Sequence, residues 1–288
     1  QGGPMYYIKN GLGPKWKWLG GVFAVLGAIA AFGIGNIAQV HSIADSVKSV
    51  AIAFNENAAS RETMICLITG ICVAIFVALV LLGGVKRIGQ VTEKLVPGMA
   101  VIYIVCALIV VFANISAVPG VFASIFKGAF NPAAVTGGAA GMSIKLAMTK
   151  GVGRGVFSNE AGLGSADIAH AAADTKGPVQ QGLYGIFEVF ADTIVICTLT
   201  AMTIICSGVD ITFGQKVGSE LITSAFATMF GVKFASVFVA LALTLFAFTT
   251  VLGWSLYGSR CVQYLFGLKV AKGYQVLFII IVVVGAVA

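Results

Sequence analysis

Residues 151–182, GVGRGVFSNEAGLGSADIAHAAADTKGPVQQG, decide how this chain must fold. The stretch is rich in glycine and carries charged residues, among them Arg154, Glu160 and Asp174, although most of the chain around it is apolar. Hydrocarbon contains no water to satisfy free backbone N–H and C=O groups, so irregular backbone at membrane depth must be buried in protein or line a cavity. A polar, glycine-interrupted segment between apolar helices is typical of the binding site of a secondary transporter.

The composition indicates an integral membrane protein. Of the 288 residues, 59% are hydrophobic and only 10% are charged, which is too little charge for the surface of a soluble domain of this size. The net charge of +7 could suggest nucleic acid, but the Lys and Arg residues are dispersed and form no basic run with interleaved aromatic residues. We therefore expect a lipid bilayer around the chain and no nucleic-acid partner.

Apolar stretches of about twenty residues predict the membrane spans. They cover residues 18–44, 63–83, 95–115, 182–207 and 231–257, and a further span begins near residue 274. Residues 138–173 are predicted to form a discontinuous span. Residues 116–137 are predicted to form a loop with an interfacial helix, and residues 208–230 to lie on the surface.

Loop charge predicts the orientation. Lys and Arg concentrate before the first span and in the loops 84–94, 174–181 and 258–273, and the more basic side of a membrane protein is usually cytoplasmic. The chain begins at Gln1 rather than Met and stops inside an apolar run, so we expect a fragment.

The break in the discontinuous span offers a chemistry suited to an amino acid. A half-helix that ends near Phe157 would present free carbonyls to an ammonium group, and one that begins near Gly162 would present free N–H groups. Ser158 and Asn159 add two short polar side chains at the break. In the alternative interpretation the segment is a kinked helix whose polar groups pair with neighbouring helices.

Glu160 has several possible roles, because a carboxylate at mid-membrane depth is expensive and is usually functional or paired. It could bind the substrate ammonium group, carry a proton, or tether the inner half-helix to the first helix, which would be missing from this chain. The residues alone leave these roles open.

Catalytic motifs are absent from the sequence. It contains neither GxSxG nor HExxH, and its only histidines are His41 and His170. We therefore predict that the protein is not an enzyme. An intramembrane hydrolase and a channel remain as alternatives, since broken helices also line channel filters.

Four strings carry a resemblance to a known family: GGPMYYI (2–8), FGIGNIAQVHSIAD (32–45), the SNEAGLGSA string (158–166) and FTTVLGWSLYG (248–258). With them, in the same order along essentially the whole chain, the sequence resembles the sodium:alanine (alanine/glycine:cation) symporter family. The resemblance implies an all-α, polytopic membrane protein with a partial LeuT-like inverted-repeat core. It also implies sodium-coupled import of alanine or glycine across the cell membrane by alternating access.

The same resemblance implies a division of the chain. Residues 1–137 would be the remainder of the first inverted repeat, with core helices 3–5 and the following loop. Residues 138–288 would be the second repeat, with the broken core helix 6 and then helices 7–9. The first two core helices and the C-terminal end would be missing.

Two further groups of residues are candidates for the site. Asn36 and Gln39 have i, i+3 spacing and share a helix face. They could hold helices together, but the resemblance places Gln39 on core helix 3, which faces the substrate.

Adjacent Thr249 and Thr250 could hydrogen-bond to carbonyls of their own helix, or bind Na⁺ together with the Phe246 carbonyl, because Na⁺ prefers hard oxygen ligands. The resemblance favours the sodium site and also places Thr250 at the substrate. Trp254, one turn later, would limit the size of the substrate side chain.

The expected partners are thus a small amino acid and the lipid bilayer, with Na⁺ as the coupling ion. A channel-like permease, or an amino-acid transporter coupled to protons, is the remaining alternative. The sequence does not indicate an oligomeric state.

Overall fold

The computed structural model of the protein describes residues 2–130, 148–149, 151–153, 158–160, 162–211 and 219–288. Regular structure within these residues is helical, which confirms the all-α class. The α-helices are α1 (Pro4–Gly11), α2 (Lys17–Phe32), α3 (Ala38–Phe54), α4 (Glu62–Leu81), α5 (Gly84–Ala113), α6 (Val118–Phe130), α7 (Ala166–His170), α8 (Pro178–Val189), α9 (Thr198–Cys206), α10 (Ser219–Phe230), α11 (Val232–Phe266) and α12 (Leu268–Val287). A first π-helix (Gly33–Ile37) joins α2 to α3, and a second π-helix (Phe190–Cys197) joins α8 to α9.

Six helical stretches among the described residues are long and apolar enough to cross a membrane. They follow the predicted order: Pro14–Phe54, Asn57–Leu81, Gly84–Ala113, Pro178–Cys206, Val232–Phe266 and Leu268–Val287. The first, third and fifth are much longer than the predicted 18–44, 95–115 and 231–257. Hydropathy locates only the apolar centre of a span, whereas the helix continues through polar turns such as that of Lys48, which pairs with Asp45 at 2.7 Å.

The first span is helical throughout, although it contains Gly33, Gly35, Asn36 and Gln39. The first π-helix accommodates the glycines and Asn36. Asn36 is completely buried and donates from Nδ2 to the Phe278 carbonyl of α12 at 2.8 Å. A polar side chain is tolerated here because it pairs with the backbone of a neighbouring helix.

Helix α11 is the centre of the bundle. It has 35 residues and packs against α2, α3, α5, α10 and α12. Small residues allow this close packing: a Cβ atom added at Gly258 would lie 2.2 Å from the Tyr274 hydroxyl and 2.9 Å from the Ala31 Cβ. Van der Waals contact through small residues is the main way in which helices associate in lipid.

The two segments predicted to stay outside the membrane differ in outcome. Helix α6 (Val118–Phe130) confirms that the stretch 116–137 contains a helix. Residues 131–137 lie outside the described part of the chain. Helix α10 has 12 residues within the described part of the chain and is not among the helices there that are long enough to cross a bilayer. It does not lie loosely on the surface, however, since Phe226 is fully buried and packs edge to face against Tyr103 and Phe238.

The contact between α12 and the first π-helix is testable through Gly285. A Cβ atom at Gly285 would lie 2.8 Å from the Ile37 Cα, a backbone atom that cannot turn away. We expect Gly285→Ala to lower the unfolding free energy by about 1–3 kcal/mol through overpacking. Thermal unfolding of the natural full-length protein in detergent measures the effect.

Gly273→Ala is the matched control on the same helix, because a Cβ atom there meets nothing within 4 Å. This variant should melt at or slightly above the wild-type temperature, since alanine favours helix over glycine. Equal melting of the two variants would contradict the close contact at Gly285.

Candidate binding site

An open cavity of about 1020 Å³ lies between α5, the segment Ser158–Glu160, the helix that contains the second π-helix, and α11. Five of the predicted site residues line it together: Ser158, Asn159, Glu160, Thr249 and Thr250. The segment Ser158–Glu160 and the pair Thr249–Thr250 are far apart in the sequence, and the fold brings them together in one cavity.

The cavity is strongly acidic. Among the described residues its lining includes five carboxylate residues and one lysine, namely Glu93, Glu160, Asp174, Glu188, Asp192 and Lys86. A cleft lined by one sign of charge within a low-dielectric surround concentrates the electric field and attracts ions of the opposite sign. The cavity therefore favours cations, including the ammonium end of a zwitterion.

Residues of the second π-helix bind the polar side chains at the break. Ser158 Oγ donates to Asp192 Oδ2 at 2.5 Å, and Asn159 Nδ2 donates to Thr193 Oγ1 at 2.5 Å. Thr193 Oγ1 in turn lies 3.3 Å from Asp192 Oδ2. The polar groups at the break thus pair with a neighbouring helix, as in the alternative interpretation. Ser158, Asn159 and Asp192 also line the cavity.

Asp192 and Thr193 were not among the predicted site residues. Asp192 could have been identified from the sequence, because it is a carboxylate in the middle of the apolar run 182–207. An ionisable residue inside a span is expected to face the protein interior and to serve a function. Its partner Ser158 is 34 residues away in sequence, so the pairing itself could not be read from the chain.

Glu160 lies in an unusual conformation at the break. Its φ of 58° is in the left-handed region, which costs a residue with a side chain about 1–2 kcal/mol. The carboxylate accepts a hydrogen bond from Ser165 Oγ at 2.7 Å, and it interacts with the Tyr257 and Trp254 side chains of α11. These contacts describe a tether that holds the segment against α11, which differs from the predicted tether to a missing first helix.

The inner half-helix begins later than predicted. Gly162 and Gly164 have φ of 87° and 74° and lie in a turn, and the helix α7 that follows has only five residues. The expectation that a half-helix starts near Gly162 was therefore wrong, and α7 is too short to align many peptide dipoles. Phe157 and the predicted end of the outer half-helix lie outside the described residues.

The N-terminal helix α1 holds this turn in place. A Cβ atom at Gly164 would lie 2.7 Å from Pro4, and one at Gly3 would lie 2.6 Å from Ile168. Tyr7 Oη donates to Asp167 Oδ2 at 3.2 Å. Burial and the nearby Asp167 carboxylate raise the pKa of the Tyr7 phenol, which keeps it protonated as the donor.

Thr249 and Thr250 both donate to the Phe246 carbonyl, at 2.9 and 3.0 Å. The threonine hydroxyls therefore bond to a carbonyl of their own helix, which was one of the two possibilities that the sequence left open. The two threonines line the cavity, whereas Phe246 does not. A hydroxyl that donates to a carbonyl keeps its lone pairs for a cation, so the two hydroxyls remain available to a cation, while the Phe246 carbonyl already accepts both bonds.

Gln39 and Trp254 do not line the cavity. Gln39 Nε2 donates to the Ile34 carbonyl of the first π-helix at 3.3 Å, whereas Asn36 faces α12, so the two side chains do not act on one face. Trp254 is 5% exposed and lies against Gly35. The lining stripe of α11 consists of Thr249, Thr250, Gly253, Leu256 and Tyr257, and Trp254 lies beside it.

The comparisons with known proteins agree along the whole chain. The model of the sodium:alanine symporter family matches residues 1–288. The sodium/alanine symporter AgcS of Methanococcus maripaludis is 42% identical and is similar over 100% of this chain and 60% of its own length. An uncharacterized transporter of Haemophilus influenzae is 41% identical over 99% of this chain and 60% of its own.

A further relative, the probable sodium/glutamine symporter GlnT of Bacillus subtilis, is 38% identical over 100% of this chain and 56% of its own length. The chain thus spans about 60% of the length of the curated relatives it matches. With six helices suited to crossing a membrane and a family model that matches every residue, this multi-pass membrane chain belongs to the sodium:alanine symporter family.

Proposed function

We propose that the protein is a symporter that imports a small neutral amino acid, alanine or glycine, together with Na⁺ by alternating access. The observation that carries this proposal is the acidic cavity, which joins the broken segment to the threonine pair of α11. Both ligands of such a symporter bring a positive charge into the membrane. A cavity whose described lining carries five carboxylates and one lysine is suited to both.

The threonine pair is the proposed sodium site. Two hydroxyl oxygens and the Phe246 carbonyl lie within one helical turn, and hard oxygen ligands suit a hard cation. Ser158, Asn159, Glu160 and Thr250 are the proposed substrate contacts from the described residues. Na⁺ bound at Thr249 and Thr250 would stabilise the state that accepts the substrate, so each ligand would raise the affinity for the other by the same factor, as linkage requires.

The remaining predicted substrate residues have less support from the geometry. Gln39 bonds within its own helix, Gly162 lies in an exposed turn, and Phe157 lies outside the described residues. Trp254 does not line the cavity but contacts two residues that do, Glu160 and Tyr257, so its proposed effect on substrate size is indirect.

The division into inverted repeats at 137/138 remains part of the proposal, and the helix pairing supports it. If each repeat has five core helices, helices 3 and 4 are equivalent to helices 8 and 9. The proposed helices 3 and 8 are the longest stretches, Pro14–Phe54 and Val232–Phe266, and they pack against each other. The proposed helices 4 and 9 are α4 and α12, which have 20 residues each and are also neighbours. Equivalent elements meet in this way beside a two-fold axis.

Transport measured with the natural full-length protein in liposomes tests the proposal. Uptake of alanine should saturate, require an inward Na⁺ gradient and persist when the proton gradient is collapsed. Glycine should compete with alanine, and glutamine, which is the substrate in the name of one relative, should serve as the larger comparison. Non-saturable flux would indicate a channel, and uptake driven by protons without Na⁺ would favour the proton-coupled alternative.

The sodium site is tested by Thr250→Val, which keeps the shape of the side chain and removes one hydroxyl. Loss of one oxygen ligand should raise the Na⁺ concentration for half-maximal alanine uptake severalfold. Thr250→Ser should restore it, because the hydroxyl returns. Thr244→Val is the matched control, since Thr244 lies on the same helix but does not line the cavity. The same Na⁺ dependence in all three variants would place the ion elsewhere.

The charge at Asp192 gives an independent test of the cavity. Asp192→Asn keeps the size of the side chain but removes a negative charge and weakens the bond from Ser158. A hydrogen bond to a charged group contributes about 1.5–3 kcal/mol, so apparent affinity for the cationic ligands should fall by about tenfold or more.

Glu93→Gln removes the same charge from an exposed position on the cavity lining and is the control. Its effect should be much smaller, because exposed charges are screened by water and salt. Equal effects of the two variants would show that only the total charge matters and that the pairing of Asp192 with Ser158 does not.

A further inference from the structure

A second, smaller cavity of about 150 Å³ lies where the first turns of α5, the last turns of α11 and the first two turns of α12 meet. Val85, Ile88 and Leu256 line both cavities and form the apolar wall between them. The polar lining of the smaller cavity differs entirely from that of the large one. It consists of Ser259, Arg260, Gln263, Lys272 and Gln275, with no carboxylate among the lining residues.

Two cations face this space without a counter-charge. In the described part of the chain, neither Arg260 nor Lys272 forms an ion pair. Arg260 Nη1 donates to the neutral Gln263 Oε1 at 2.7 Å, which uses one of its five N–H donors and leaves its charge unbalanced. The cavity is therefore positive, whereas the large cavity next to it is negative.

Two further groups of hydrogen-bond donors lie at the same place. Ser259 is 6% exposed, and its hydroxyl has no hydrogen-bond partner among the described residues, although buried hydroxyls are normally paired. Leu268, the first residue of the 20-residue helix α12, also lines the cavity, and no side chain caps this helix end. Backbone N–H groups at a helix N-terminus favour an anion.

We propose that this cavity binds a phosphate-type anion, either inorganic phosphate or the headgroup of an anionic phospholipid. A guanidinium group binds two phosphate oxygens at once, an ammonium group adds a point charge, and the N-terminus of α12 adds neutral donors. The Ser259 hydroxyl is enclosed in the structure and would add a donor after rotation about its Cα–Cβ bond. Arg260, Lys272 and Ser259 lie within 258–273, and the apolar wall of the cavity begins in 84–94. Both are basic stretches predicted to be cytoplasmic, and in the structure they are ends of helices. The anionic lipids of that leaflet attract such basic positions.

Thermal unfolding of the natural full-length protein in a nonionic detergent tests the phosphate arm. Inorganic phosphate should raise the unfolding temperature in a saturable manner at constant ionic strength. Arg260→Gln and Lys272→Gln should each raise the half-saturating phosphate concentration by at least about tenfold, as expected for the loss of a hydrogen bond to a charged group. Ser259→Ala should raise it by less.

Lys269→Gln is the matched control, because Lys269 is exposed on the same helix, loses the same charge and does not line the cavity. It should respond to phosphate as wild type does. Because Lys272 is exposed, Lys272→Gln should fold normally and keeps the test decisive even if Arg260→Gln is unstable.

Nanodiscs distinguish the two sources of the anion. If the ligand is a lipid headgroup, phosphatidylglycerol nanodiscs should raise the unfolding temperature relative to phosphatidylcholine nanodiscs, and Lys272→Gln but not Lys269→Gln should lose the difference. If phosphate alone stabilises the protein, the ligand is the free anion. The proposal is overturned if neither probe stabilises the protein, or if Lys272→Gln and Lys269→Gln respond alike to both.

Discussion

Close approach between the two longest helical stretches is the constraint on which the rest of the structure depends. A Cβ atom at Gly35 would lie 2.2 Å from the Trp254 Cβ, so only glycine allows the first π-helix and α11 to meet there. Lipid tails are as apolar as the helices, and packing of this kind replaces the hydrophobic effect as the force between them. With α11 held at this distance, its stripe from Thr249 to Tyr257 faces the large cavity and Trp254 lies at the edge of that stripe.

The broken segment depends on that arrangement for its own stability. Ser158 and Asn159 pair with Asp192 and Thr193 of the second π-helix, and Glu160 pairs with Ser165 and interacts with α11. Irregular backbone and charge can persist at membrane depth only with such partners. The contacts that stabilise the segment also place the Glu160 carboxylate beside those of the neighbouring helices, and the electric field of the cavity follows from this clustering.

Each π-helix has a direct relation to the large cavity. The second π-helix contributes Asp192 to its lining, and the first π-helix packs against α11, which lines it. A π-helix forms i→i+5 hydrogen bonds and occurs often at functional sites. The first turns Asn36 towards α12 and Gln39 back to its own backbone. The second presents adjacent Asp192 and Thr193 to the broken segment. In both places the change in helix geometry determines which polar side chain reaches which neighbour.

The order of the spans, the polar break at residues 158–160, the threonine pair and the family were all predictable from the sequence. Each depends on a local property: the length of an apolar run, the cost of a charge in hydrocarbon, or a string of residues. The roles of Gln39, Gly162 and Trp254 could not be derived in this way, and neither could the pairing of Ser158 with Asp192 or the cluster of Arg260, Lys272 and Ser259. Those features depend on helix register at the π-helices and on contacts between residues far apart in the chain, and only tertiary packing decides both.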